Sequence, residues 1–275
     1  MTKGWPRATP FPLVLGIVNV TPNSFSDGGK FIERPRAIEH ALRLAEEGAD
    51  LVDVGGESTR PGAESVPIGE ELHRVMPVVE ALVAKGVAVS VDTMKPEVMR
   101  AAIDAGCAVV NDVNAFRAPG AIEAVARGKV GVIAMHMQGT PATMQQAPHY
   151  DDVVAEVASY LHERARALEA GGVAHDAIVL DPGFGFGKTL EHNLALFRAM
   201  PALTQMGYPI LAGVSRKRMV GEITGRPLED RVAGSVAAAL LAVQNGARLV
   251  RVHDVKETVD ALRVWRAIEN TENHP

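Results

Sequence analysis

Eight short runs rich in β-branched and other apolar residues recur along the chain: LVLGIVNV from Leu13, LVDV from Leu51, VAVSVDT from Val87, AVVNDV from Ala108, VGVIAMH from Val130, AIVLD from Ala177, PILAGVS from Pro209 and RLVRVH from Arg248. Between them lie segments such as RAIEHALRLAEEGAD and DDVVAEVASYLHERARALEAGG, whose apolar residues fall three and four apart and which end in glycine or acidic turn residues. A strand that is apolar throughout must be covered on both faces. Alternation with amphipathic helices therefore predicts a parallel sheet clad in helices. Eight βα units in sequence favour closure into a (β/α)8 TIM barrel over an open doubly wound sheet. The 275 residues, 47% of them hydrophobic, suit one such barrel, and no linker or low-complexity tract divides them, so residues 1–275 are read as a single domain.

In a parallel barrel the C-terminal ends of all strands meet on one face, where such folds do their chemistry. Those ends carry Asn19, Asp53 with Glu57 soon after, Asp92, Asn111 and Asp112, His136, Asp181, Ser215 with Lys217, and Arg251 with His253. Asx residues also cap helices, and that reading suits Asp53 and Asp112 best, since each has a more solvent-facing polar neighbour. Capping does not account for eight convergent polar ends. Two connections on this face, TPNSFSDGGKFIERP after the first run and GGESTRPGAESVP after the second, exceed the usual βα length of about 2–6 residues. They read as a pair of mobile lids, with Phe25, Asp27, Thr59, Arg60 and Pro61 able to close over a ligand.

The stretch DPGFGFGKT, Asp181 to Thr189, looks like a phosphate-binding glycine loop and is not one. A Walker loop needs glycine where Pro182 stands, and proline has neither an N–H nor a free φ. The dinucleotide fingerprint fails at Lys188, where its last glycine belongs. The formal net charge of −5, with no dense basic cluster, gives no footprint for nucleic acid or an anionic membrane surface. Cys107 is the single cysteine, the N-terminus lacks the apolar core of a signal peptide, and no apolar run approaches the ~20 residues of a membrane span. A cytoplasmic protein is expected.

Asp92, Asn111, Asp181 and Lys217 together supply carboxylate acceptors, an amide and a cation. That inventory suits a planar heterocycle with an amino-pyrimidinone edge. Met135, Phe186 and the small Gly213 could form its flat walls. Asn19, Arg251 and His253 could meet an anion such as a diphosphate, with magnesium between oxygen ligands and phosphates. No His or Cys set has zinc spacing.

These residues sit in GIVNVTPNSFSDGG (Gly16 to Gly29), DVGGESTRPGA (Asp53 to Ala63), SVDT (Ser90 to Thr93), NDV (Asn111 to Val113), MHMQGTPATMQ (Met135 to Gln145), DPGFGFGK (Asp181 to Lys188), GVSRK (Gly213 to Lys217) and RVHDV (Arg251 to Val255). Through them the chain resembles the dihydropteroate synthase family, from about Leu13 to Ile268. The resemblance implies a folate-pathway transferase and sulfonamide target that joins a pterin diphosphate to para-aminobenzoate. It implies pterin contacts from Asp92, Asn111, Met135, Asp181, Phe186, Gly213 and Lys217. It implies diphosphate contacts from Asn19, Arg251 and His253, with Asn19 beside Mg2+. It implies a para-aminobenzoate site and lids from Phe25, Asp27, Thr59, Arg60, Pro61, Ser215 and Arg216. Asp92, Lys217, Arg251 and His253 would carry the catalysis.

Two other functions share the pterin pocket. A methyltransferase barrel that uses methyltetrahydrofolate would not need the para-aminobenzoate lids, and a non-catalytic pterin-binding paralogue should have lost lid or anion residues. Both sets are intact in this sequence. The helix RVAGSVAAALLAVQ, Arg231 to Gln244, is richer in small apolar residues than one barrel-facing stripe needs, so it and DVKETVDALRVWRAI are expected to form a homodimer contact, as the resemblance also implies.

Overall fold

The structure, a computed structural model, describes Trp5 and residues 12–21, 29–60 and 62–269, with residues 29–33 in backbone only. Each of the eight apolar runs forms a strand, β2 passing the end of its run by one residue: β1 (Leu13–Asn19), β2 (Leu51–Gly55), β3 (Val89–Asp92), β4 (Val109–Asp112), β5 (Gly131–Met135), β6 (Ile178–Asp181), β7 (Leu211–Ala212) and β8 (Leu249–Val252). They pair in parallel in the order β6-β5-β4-β3-β2-β1-β8-β7. The remaining seam is spanned by one bridge, Leu180 to Ile210, beside a 3.0 Å bond from the Leu180 N–H to the Pro209 carbonyl. The result is a nearly closed (β/α)8 barrel.

The helices are α1 (Gly29–Glu46), α2 (Ile68–Ala84), α3 (Pro96–Asp104), α4 (Ala121–Gly128), α5 (Val153–Ala170), α6 (Leu190–Arg198), α7 (Met200–Leu203), α8 (Arg218–Thr224), α9 (Val232–Gln244) and α10 (Val255–Glu269). Their inward stripes follow the helical period: α5 buries Val153, Val157, Leu161, Ala165 and Leu168. Its start is set by Asp152, whose carboxylate accepts the N–H groups of Val154 and Ala155. Among the described residues no helix is long and apolar enough to cross a membrane.

Apart from the polar positions toward their C-terminal ends, the strands are apolar because both faces are covered. One face packs under helices, through residues such as Val14, Val18, Val52, Val54, Val91 and Val110. The other fills the barrel, where Leu13, Leu15, Leu51, Val109, Ile133, Val179, Leu211 and Leu249 form an apolar plug. Trp5 packs on that plug and donates its indole N–H to the Ala177 carbonyl at 3.1 Å. Gly131 makes room for the ring, since a β-carbon there would lie 2.9 Å from Trp5 Cε2.

The sequence reading carries the first long connection to Pro35, whereas α1 begins at Gly29 and Pro35 lies inside it, leaving residues 20–28 between β1 and α1. A proline within a helix removes one hydrogen bond and crowds one carbonyl. Burial of Ala37, Ala41 and Leu44 outweighs that local cost. The second connection, residues 56–67, holds no helix or strand among its described residues, as expected.

The plug gives the barrel its rigidity, and Leu15, fully buried within it, tests this. Leu15→Ala should cost about 3–5 kcal/mol, read as a lower urea midpoint with an unchanged slope. A loss under about 1 kcal/mol would mean that the plug is loosely packed.

Candidate active site

Strand register decides which side chains meet. Asn19 on β1 pairs with Gly55 on β2, Gly55 with Asp92 on β3, and Asp92 with Asn111 on β4. Register partners in a parallel sheet share a face, so these four positions form one row around the inside of the barrel at its C-terminal end. Met135 on β5 pairs with Asp181 on β6. Across the barrel, Gly213 follows β7, and its lack of a side chain leaves space among charged groups. A β-carbon there would lie 3.7 Å from Lys217 Nζ, 3.8 Å from Asp181 Oδ2 and 3.9 Å from Arg251 Cβ.

The charges in this ring are organised by Asp53, which is fully buried two residues before Gly55 on β2 and so on the same inward face, beneath the row. Its Oδ2 accepts from Arg251 Nε at 2.6 Å and from Asn111 Nδ2 at 3.1 Å. Because a carboxylate only accepts, the Asn111 amide is fixed with its nitrogen toward Asp53 and its Oδ1 free to face elsewhere. Arg251 reaches on to Asp92 Oδ2 through Nη2 at 2.8 Å. Burial raises the Asp92 pKa to about 7 against the pull of Arg251, and the Asp53 and Asp112 carboxylates add to the rise. Burial opposes the charge of Arg251, but Asp53 and Asp92 outweigh it and hold the guanidinium above its usual range. Burial also lowers Lys217 to about 8, with Asp181 opposing, and raises Asp181, with Lys217 opposing.

The glycine-rich stretch forms the wall beside Asp181. Gly183, Gly185 and Gly187 all have positive φ, at 68°, 80° and 63°. Asp181 Oδ1 accepts the Gly183 N–H at 2.7 Å, which ties the carboxylate to the turn. At Gly183 a β-carbon would sit 1.9 Å from the His136 carbonyl oxygen, so no other residue fits. Lys188 is buried and points back under the loop, donating to His136 Nδ1 at 2.9 Å and to the Gly183 and Phe186 carbonyls at 3.0 Å each. Thr189 caps α6 in a reciprocal pair with His192. The Lys-Thr pair that suggests phosphate binding thus serves the backbone. Lys217 Nζ donates to the Phe184 carbonyl and stands 4.6 Å above the Phe186 ring. Phe186 also packs on a cluster of Val113, Met135, Met137 and Met144.

His253 and Ser215 are linked, Ser215 Oγ lying 3.1 Å from His253 Nδ1 and accepting the His253 N–H at 3.1 Å. Burial, then Arg251 and Arg216, depress the His253 pKa to about 4. His253 is therefore a neutral hydrogen-bonding group near pH 7. Arg216, at positive φ of 56°, pairs with Asp254 through both Nε and Nη2. Thr59 is half-buried and Arg60 exposed in the second connection, whose Gly62 N–H reaches the Pro141 carbonyl at 3.2 Å. Phe25, Asp27 and Pro61 lie outside the described residues.

Among the described residues no group of three His, Cys, Asp or Glu side chains could hold a metal ion. Half-buried Asn19 offers one amide oxygen at the end of β1. That donor set fits magnesium arriving with a phosphate ligand, since this ion takes few protein ligands and keeps phosphate oxygens and waters.

Sequence reading treats the pterin and anion residues as two clusters, and Arg251 joins them. It also assigns Asp53 to capping, while the fold makes Asp53 the common partner of Arg251 and Asn111. Asp112 does take the local role, accepting the Asn114 and Phe116 N–H groups at 2.7 Å each. Gln145, which donates to the Gly185 carbonyl at 2.6 Å, and Tyr150, which donates to that of Gly187 at 2.9 Å, are missed. Val113 is missed too, although counting two from inward-facing Asn111 would have found it.

Residues 15–253 match the model of the pterin binding enzyme family. Dihydropteroate synthase of Escherichia coli (strain K12) is 49% identical over 257 residues, 93% of this chain and 91% of that enzyme. The Xanthomonas albilineans dihydropteroate synthase solved with 4-aminobenzoic acid superposes with a TM-score of 0.90 at 58% identity, covering 95% of this chain and 94% of that one. A structure of the Xanthomonas albilineans enzyme in complex with 7,8-dihydropteroate gives a TM-score of 0.87 at 55% identity over 95% of each chain. Matched along nearly its whole length by these enzymes, the chain belongs to the pterin binding enzyme family, within its dihydropteroate synthase group.

Proposed function

We infer that the protein is a transferase of folate biosynthesis. It condenses 6-hydroxymethyl-7,8-dihydropterin diphosphate with para-aminobenzoate to give 7,8-dihydropteroate and diphosphate. The observation that carries this reading is the convergence of Asp181 Oδ2 and Lys217 Nζ on the space left by Gly213, with the Arg251 side chain starting beside it. Acceptors for an amino-pyrimidinone edge and a donor for its carbonyl or an anion stand side by side there.

Asp181 Oδ2 and Asn111 Oδ1 accept from the N–H groups of the pterin edge, and Lys217 donates to its carbonyl and ring nitrogen. Phe186 and Met135 flank the ring. Arg251 and neutral His253 hold the diphosphate by hydrogen bonds, with Asn19 at its magnesium. Magnesium, when bound, neutralises charge on the diphosphate as a Lewis acid. The C–O bond to diphosphate breaks with its electron pair, the arylamine lone pair forms the new C–N bond at the same carbon, and the proton then lost from nitrogen passes to the released diphosphate or to water. Ionised Asp92 stabilises the positive charge that builds on the dihydropterin. The arylamine is already nucleophilic, so positioning and exclusion of water by the two connections matter more than a general base. Ser215, Arg216, Thr59, Pro61 and Phe25 form the para-aminobenzoate site, with Asp27 and Arg60 fixing its closed form. A sulfonamide, as an arylamine mimic, occupies the same place. We place the reaction in the cytoplasm, where Cys107 stays a buried thiol whose pKa burial pushes up to about 12. The direct test is diphosphate release that requires both substrates and magnesium.

Asp92 gives the reading a pH signature. With its pKa near 7 in the free protein, kcat/KM for the pterin diphosphate should fall about tenfold per pH unit below that value. Asp92→Asn should abolish this limb and lose more turnover than pterin affinity. Stability carries the opposite sign. The folded state keeps a proton that the unfolded chain releases near pH ~4, so this contribution is full below that pH and lost as pH rises through about 7. An unchanged acid limb in Asp92→Asn would remove Asp92 from the mechanism.

Order of binding tests the lids. Para-aminobenzoate should bind the free enzyme poorly and at least ~10-fold more tightly with a pterin and magnesium diphosphate present, because those ligands offset the entropy of ordering both connections. A sulfonamide should share the dependence, and changes at Phe25 or Pro61 should weaken it more than para-aminobenzoate. Equal affinity in both titrations would mean a preformed pocket.

A homodimer through α9 and α10 completes the proposal. Leu241 on α9 and Val264 and Ile268 on α10 are 51%, 60% and 67% exposed, large apolar side chains on adjacent helices. Light scattering should give twice the chain mass at micromolar concentration, and Val264→Glu should halve it.

A further inference from the structure

A buried ionic cluster outside the ring of strand ends sits at the foot of the second connection. Lys95 Nζ donates to Glu57 Oε2 and to Glu71 Oε2. The three side chains are 17%, 8% and 1% exposed. Glu57 opens the connection and closes it as well, since its Oε2 also accepts the Val66 N–H at 2.8 Å. Glu71 and Arg74 belong to α2, and Arg74 Nη1 donates to the Gly56 carbonyl at 2.9 Å. Gly56 itself presses on α2, where a β-carbon would come within 2.6 Å of Val75 Cγ2. Both feet of the connection are thus tied down, and its tip, with Thr59 and Arg60, lies between them.

Lys95 is also joined to the site. It follows Asp92 by three residues, its N–H donating to Thr93 Oγ1 at 3.2 Å, while the Thr93 N–H bonds the Asn111 carbonyl at 3.0 Å. Cohesion of α2 and α3 does not require this cluster, because Val75, Val78, Val79 and Leu82 on one and Val98, Met99 and Ala102 on the other already bury an apolar face. Buried ion pairs contribute little stability beyond an apolar replacement, and their best-attested use is to fix geometry.

We propose that Lys95 is a positioning residue for the second substrate, clamping Glu57 and Glu71 so that the 57–66 segment is presented to the site in one register. The proposal rests on the arylamine role assigned above to that segment. The pterin half of the site is held by other groups, Asp53, Lys188 and the glycine turn; Lys95 is joined to that half only through its own main-chain N–H at Thr93, a bond that removing the ammonium leaves in place.

The test compares Lys95→Met, Lys95→Arg and the double variant Lys95→Met/Glu71→Gln, which keeps the cluster at one net negative charge and serves if the single variant does not fold. Lys95→Met should raise KM for para-aminobenzoate roughly tenfold or more, with pterin diphosphate KM and pterin affinity within about threefold of wild type. Lys95→Arg should restore the first value. Hydrogen exchange at the Val66 amide should speed up about tenfold in Lys95→Met, a readout independent of turnover. A wild-type chain that released no diphosphate would overturn the proposed function and leave that exchange rate as the test of the clamp. Parallel losses for both substrates, or unchanged exchange at Val66, would overturn the clamp.

Discussion

The site depends on a carboxylate that faces no solvent. Asp53 is fully buried and shares one oxygen between Arg251, 198 residues away in sequence, and Asn111. A buried guanidinium without a partner would be untenable, and a buried carboxylate equally so. Held together, they set the direction of the groups they bond. Asn111 must turn its oxygen outward, and Arg251 must lie across the barrel to meet Asp92. The apolar plug beneath lets this happen, since it keeps water from the lower side of the network and raises the stakes of each pairing.

How much of this could be read from the sequence follows from the range of each interaction. The strands are legible because burial on both faces leaves a largely apolar run; seven fall inside the runs named from the sequence, and β2 passes the end of its run by one residue, Gly55. Strand-end residues are legible as a set, since parallel topology sends every C-terminus to one face. Their pairing is not legible. Nothing near Asp53 reveals that its partner lies in β8, so a local role is the natural reading; Asp112 has one, though it holds the turn at Asn114 and Phe116 and does not cap α4. Pro35 misleads for a related reason: proline is a strong local signal, but the burial that overrides it comes from the rest of the fold.

The glycine stretch shows the same division. Its three glycines signal a backbone that must turn through positive φ, and the structure uses all three that way. Its lysine signals nothing certain. In a phosphate loop such a lysine reaches outward to a ligand, whereas Lys188 is folded inward onto His136 and two carbonyls. Burial pulls its pKa down to about 7, and the neighbouring Lys217 adds to that fall against Asp181. A residue so enclosed works as a strut.

Gly183 bears on how the protein could escape an inhibitor. The His136 carbonyl stands where any side chain at that position would begin, so the codon has no viable missense neighbour. The same closure extends to Asp181, which is tied to the Gly183 N–H, and to Lys217, whose ammonium is tied to the Phe184 carbonyl. The second connection is different, with Arg60 exposed and Thr59 only half-buried. Under the proposed function, resistance to arylamine mimics has a permissive stretch of chain in which to arise. A compound gripping only the pterin wall would confront a lineage with almost nowhere to mutate.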